Sequence, residues 1–211
     1  MKEIADQLRR VENLTRTSGA EFFGNKCKRD REWWVLGKAS FLLSTREPQT
    51  PVYAEATDPP NPDFKVYSEV GEFRANIEIT EVIEAGRRRH SEIKERLSDR
   101  TLNPKSLHVI DDPFISFRRV ISEKSQKPYG SGCWLIIFFS IPRLQMPGHF
   151  EIPWEQLIFD EVRSWASTEL TPQISSSPYE RVFVLDSNGT TLVSISPDFA
   201  VFERLPNNPS A

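Results

Sequence analysis

Apolar and polar positions alternate most clearly between residues 63 and 80. In 63–70 (DFKVYSEV), Phe64, Val66 and Val70 fall on one face, and Asp63, Lys65, Tyr67 and Glu69 on the other. In 73–80 (FRANIEIT), Phe73, Ala75, Ile77 and Ile79 alternate with Arg74, Asn76, Glu78 and Thr80. Period two on both sides of Gly71 predicts an antiparallel hairpin. A turn about Val70 and Gly71 sets Phe64 opposite Ile77, Val66 opposite Ala75 and Asp63 opposite Glu78. A slip of one residue would set apolar against polar positions throughout, so burial favours this register.

The rest of the chain reads more coarsely. Ile4, Leu8 and Val11 make residues 1–14 a weakly amphipathic helix. Residues 32–44 (EWWVLGKASFLLS) are apolar on nearly every face, which predicts a helix buried on more than one side. Residues 46–62, with prolines at 48, 51, 59, 60 and 62, read as a loop. Residues 86–97 predict a mostly exposed helix anchored by Ile93 and Leu97, and 114–121 a further strand. The run CWLIIFFSI at 133–141 predicts a strand covered on both faces. Pro153 opens a helix over 154–167, with Trp154, Leu157, Ile158, Val162 and Trp165 as its apolar stripe. Residues 181–186 form a strand that turns through Asp186-Ser187-Asn188-Gly189 into 191–196, a second hairpin. The expected fold class is α/β, a mixed β-sheet flanked by helices, with an inserted helix and a C-terminal hairpin. The expected division is a helical and basic N-terminal extension (1–31), one α/β domain (32–200) and a C-terminal tail (201–211).

Composition narrows the function classes. Of 211 residues, 38% are hydrophobic, enough for a proper core, and a net charge of −3 excludes a histone-like polycation. Cys27 and Cys133 stand too far apart for a zinc module or disulfide framework. His90, His108 and His149 show no zinc spacing. The N-terminus has no apolar leader segment, and the longest apolar run is about half a membrane span. A soluble, cytoplasmic protein without a membrane partner is therefore expected. Asp111-Asp112 before Pro113 reads as a turn. Gly130-Ser131-Gly132 lacks a P-loop lysine, and no G-x-S-x-G is present. Arg87, Arg88 and Arg89, with Lys94, Arg96 and Arg100, make a basic stretch suited to a phosphate backbone. The ordinary alternative is a solvated helix with ion pairs such as Glu84–Arg88 and Glu92–Arg96.

The facing acids of the first hairpin carry the strongest chemical signal. Two carboxylates about 5 Å apart repel unless a positive charge lies between them. A hard divalent cation, Mg²⁺ or Mn²⁺, held by two carboxylates and several waters would supply it. Thr80 points its hydroxyl toward the same place. The ordinary alternative is a solvated polar face whose acids pair with Lys65 and Arg74.

Pro62-Asp63 followed by Glu78-Ile79-Thr80 on the next strand resembles the motif of the PD-(D/E)XK nuclease superfamily. The order helix, three strands, helix, strand over residues 32–186, with 86–132 inserted, is similar to that family's core. The resemblance implies a restriction-endonuclease-like core and metal-dependent hydrolysis of phosphodiester bonds in DNA. It implies Asp63 and Glu78 as metal ligands, with the Ile79 carbonyl and Glu32 as further ligands. The lysine that the motif expects two residues after the Glu is Thr80 here, so Lys65 or Lys94 would have to take its place. That departure leaves two readings of the fold: an active nuclease with a rearranged site, or a catalytically silent module that binds nucleic acid or protein. In a third reading the domain is unrelated and its acids are merely solvated. DNA is the expected partner, with Arg87, Arg88 and Arg89 on its backbone. Weak sequence specificity is expected unless a protein partner or a second copy of the chain supplies it.

Overall fold

The computed structural model describes residues 1–18, 28–45, 50–83, 112, 114–141, 152–165, 177–195 and 202–204. Along the chain run β1 (Lys2–Glu3), α1 (Ile4–Ser18), α2 (Lys28–Ser44), β2 (Tyr53–Ala56), β3 (Phe64–Tyr67) and β4 (Phe73–Val82). They are followed by α3 (Ile115–Ser125), β5 (Cys133–Phe139), α4 (Trp154–Trp165), β6 (Tyr179–Leu185), β7 (Leu192–Ile195) and β8 (Phe202–Arg204). The strands form one eight-stranded sheet in chain order. β5 pairs parallel with both β4 and β6, and every other pairing is antiparallel.

The centre of the sheet is β5, and its composition explains why. A strand covered on both faces cannot alternate apolar and polar residues. Leu135, Ile137 and Phe139 enter one core with Phe117, Val120 and Ile121 of α3 and Trp154, Leu157, Ile158 and Val162 of α4. Ile136 and Phe138 enter a second core with Ile4 and Val11 of α1 and Trp33, Val35, Leu36 and Ala39 of α2. Helices therefore cover both faces of a mixed sheet, an α/β arrangement consistent with a restriction-endonuclease-like core. None of the described helices is long and apolar enough to cross a membrane.

The first hairpin takes the expected register, with Phe64 opposite Ile77, Lys65 opposite Asn76 and Val66 opposite Ala75. Its turn is wider than expected. Ser68 donates its N–H to the Glu72 carbonyl at 2.8 Å, and Gly71, at φ +82°, donates to the Ser68 carbonyl at 3.0 Å. A bulge between Val66 and Tyr67 absorbs the extra residue and leaves the register toward Glu78 intact. Val70, expected on the inner face, is instead 79% exposed at the tip.

Two expectations are corrected. Residues 114–121 are not a strand, because Phe114, Phe117, Val120 and Ile121 repeat at the helical period and bury one face of α3. The loop expected over 46–62 contains β2, whose Ala54 is fully buried opposite Val66. The prolines flank this strand without interrupting it. The predicted helix at 86–97 lies outside the described residues.

α1 crosses α2 at Gly37, where an added Cβ would stand 2.7 Å from the Leu8 Cβ. That atom sits at the root of its side chain, so the helices would have to separate. Gly37→Ala, which raises intrinsic helix propensity by about 1 kcal/mol, should nevertheless destabilise the protein by roughly 1–3 kcal/mol through overpacking. Guanidinium unfolding of both proteins checks this, and a more stable variant would contradict the tight crossing.

Candidate active site

Asp63 lies immediately before β3, and Glu78 lies in the middle of β4. Strand alternation sends Glu78 to the same face as Asn76, Thr80 and Val82, the face covered by α3 and α4. The main-chain N–H of Ile79, next to Glu78, donates to Asp63 Oδ2 at 2.8 Å. The hairpin register thus brings the two acids to one place.

The carboxyl of Asp63 is pushed up from its ordinary 3.8 to about 6. Burial is the largest cause, opposed by the Ile79 hydrogen bond; the charges of Glu78 and Glu32 raise it further, and Lys28 lowers it. Glu78 is itself buried, 5% exposed. Its Oε1 pairs with Lys124 Nζ, and its Oε2 accepts from the Tyr129 hydroxyl at 3.1 Å. Burial, and then the charge of Glu78, raise the phenols of Tyr129 and Tyr179, whose rings meet edge-on at 6.2 Å. The same two causes push the Cys133 thiol up to about 12, which leaves it an inert thiol and no nucleophile.

Glu32 reaches this region from the first turns of α2. Arg29 holds that end of the helix in place by donating to the main-chain carbonyls of Asp63 at 3.1 Å and Thr57 at 2.8 Å. Its guanidinium also lies 5.6 Å from the centre of the Phe64 ring. Glu32 is 6% exposed, and its carboxylate stands within ion-pair distance of Lys28 (3.2 Å) and Arg29 (3.3 Å). The Lys28 ammonium faces Oε1, and the Arg29 guanidinium faces Oε2.

The other predicted residues fall out as follows. Lys65 is exposed, opposite Glu55 on one side and Asn76 on the other. Thr80 is half-buried, two residues beyond Glu78. Glu81 points to the opposite face, 3.9 Å from Arg31. Asp112 accepts the N–H of Phe114 at 2.8 Å and pairs with Arg118, in keeping with a turn. Lys94, Arg87, Arg88, Arg89 and the three histidines lie outside the described residues.

Lys124 and Tyr129 were not anticipated. The helical period of α3 holds the signal, since Phe117, Ile121 and Lys124 stand at i, i+4 and i+7 on its inner face. Reading that segment as a strand concealed it.

A protein-family profile described as "Putative endonuclease, protein of unknown function (DUF1780)" matches residues 3–120, more than half of the chain. The chain belongs to this family. The matched stretch includes Glu32, Asp63, Glu78 and the first turn of α3, and ends before Lys124 and Tyr129. No curated protein and no solved structure matches the chain.

The donor set suits a small hard cation. A buried acid, Glu78, adjoins a half-buried one, Asp63, whose pKa is raised, and the charge of Glu32 reaches the same place. Among the described residues, no three His, Cys, Asp or Glu side chains form a complete ligand cluster. An ion here would rely on water for much of its shell, as Mg²⁺ characteristically does.

Asp63 also makes stability depend on pH. A raised folded-state pKa means that the native protein holds this proton more tightly than the unfolded chain does. Stability therefore falls as pH rises from 3.8 to about 6 and stays lowered above that. Asp63→Asn keeps an acceptor for the Ile79 N–H and removes the buried charge. In chelator it should raise stability by about 1–3 kcal/mol at pH 7 and change it little at pH 4. Denaturation at the two pH values checks this, and an equal effect at both would contradict it.

Proposed function

We propose that this protein is a Mg²⁺- or Mn²⁺-dependent nuclease of the PD-(D/E)XK type that hydrolyses phosphodiester bonds in DNA. The observation that carries the reading is the meeting of Asp63 and Glu78 through the Ile79 N–H, with a lysine paired to Glu78. The endonuclease description of the family supports the reaction class.

Asp63 and Glu78 would hold the ion, with the Ile79 carbonyl and Glu32 as further oxygen donors. When bound, such an ion polarises the phosphate and lowers the pKa of a coordinated water. Among the described residues, Lys124, paired to Glu78, would do what a lysine at position 80 would do: steady the charge that develops on the phosphate. It is better situated for this than Lys65, which is exposed opposite Glu55. Lys94 keeps only its sequence argument. Thr80 contributes a neutral hydroxyl on the same face, and Asp63 Oδ2 is oriented by its bond to Ile79. On sequence grounds Arg87, Arg88 and Arg89 would contact the backbone of the nucleic acid, a contact that weakens with salt.

Thr80 in the lysine position favours the second reading, a silent module that binds nucleic acid or protein. Nicking of supercoiled plasmid with Mg²⁺ or Mn²⁺ separates the two. Wild type should cleave, and Asp63→Ala, Glu78→Ala and Lys124→Met should each lose about 10²-fold or more. Lys65→Ala should stay within about twofold, as expected for an exposed side chain whose charge is screened by solvent. A folded wild type that binds DNA and does not cleave it would make the silent module the correct reading.

A further inference from the structure

Both oxygens of Glu78 already carry a protein donor, Lys124 on Oε1 and Tyr129 on Oε2. The pair is shielded, with side-chain exposures of 21% for Lys124 and 7% for Glu78. Resting on the metal-site reading above, we propose that Lys124 is a stand-in cation: it neutralises Glu78 while no divalent ion is bound and leaves Oε1 when one binds, which frees its ammonium for the anionic substrate.

The two donors differ in what an arriving cation does to them. A carboxylate oxygen has two lone-pair directions, so sterics alone would let a lysine and a metal share Oε1. Charge is what separates them. An ion about 2.1 Å from that oxygen and an ammonium hydrogen-bonded to it would stand within about 5 Å of each other, in surroundings that screen poorly. Lys124 lies in the last turn of α3 and carries its charge on a four-carbon stem with several rotamers. Tyr129 is neutral, and its ring is held edge-on against Tyr179. Its hydrogen bond survives the exchange and fixes the orientation of the Glu78 carboxylate. Two consequences follow for this chain. The acids fold without metal, and metal binding is weakened by the need to displace a partner already in place.

Mn²⁺ binding, followed by electron paramagnetic resonance of the free ion, tests the exchange in wild type, Lys124→Met, Lys124→Arg and Glu78→Gln. Lys124→Met should bind Mn²⁺ about tenfold tighter or more, because both a competing charge and a repelling one are gone. Lys124→Arg should bind no more tightly than wild type, and Glu78→Gln should lose most of the affinity. Equal or weaker binding by a folded Lys124→Met overturns the stand-in role and leaves the metal site standing. No binding by wild type or Lys124→Met, or full affinity in Glu78→Gln, overturns the metal site and the inference with it. If Lys124→Met does not fold, acetic anhydride labelling of wild type decides. Lys124 acetylation should rise severalfold when Mg²⁺ replaces chelator, and an unchanged rate overturns the exchange.

Discussion

A buried carboxylate at the centre of a sheet must be neutralised, and the protein meets that requirement at Glu78 with donors brought from far along the chain. Leaving such a charge unpaired would cost several kcal/mol. Lys124 and Tyr129 bind it from opposite oxygens, and both lie in the stretch between β4 and β5. The packing of α3 is therefore coupled to the acid pair. Phe117, Val120 and Ile121 seat the helix against the sheet, and the same face delivers Lys124 to Glu78.

The sheet allows this because its faces divide the labour along each strand. On β4, Ala75 and Ile77 join the core under α1 and α2, while Val82 joins the core under α3 and α4. Glu78 lies on that second face between Asn76 and Thr80, where the Ile79 N–H joins it to Asp63. On the other side, Arg29 fastens the start of α2 to the carbonyls of Thr57 and Asp63, which brings Glu32 within electrostatic reach of Asp63. Three acids are thereby held close by a helix end, a hairpin register and an inserted helix. None of these elements would stabilise that density of negative charge alone.

Much of this was legible in the sequence wherever a period was unambiguous. Residues 64–66 and 75–80 alternate with a period of two, which is enough to pair Phe64 with Ile77 and Val66 with Ala75. The unbroken apolar run at 133–141 marked the central strand, and the all-round apolar character of 32–44 marked α2. Elements defined by their neighbours were not legible. β2 has the sequence YAEA, with little strand propensity of its own, and is a strand because β1 and β3 pair with it. α3 was misread because Phe, Ile and Val favour strands by type, while their spacing at 114, 117, 120 and 121 is helical. That single misreading also concealed Lys124, the side chain paired with Glu78.

The central claim is that Asp63 and Glu78 form one cation site. Crystals grown with Mn²⁺ and measured near the manganese absorption edge test it most directly. The account predicts an anomalous peak about 2.0–2.3 Å from one oxygen of each carboxylate, with Lys124 Nζ withdrawn from Glu78. A well-ordered site with no peak between the two carboxylates, and Lys124 still on Glu78 at millimolar Mn²⁺, would contradict it.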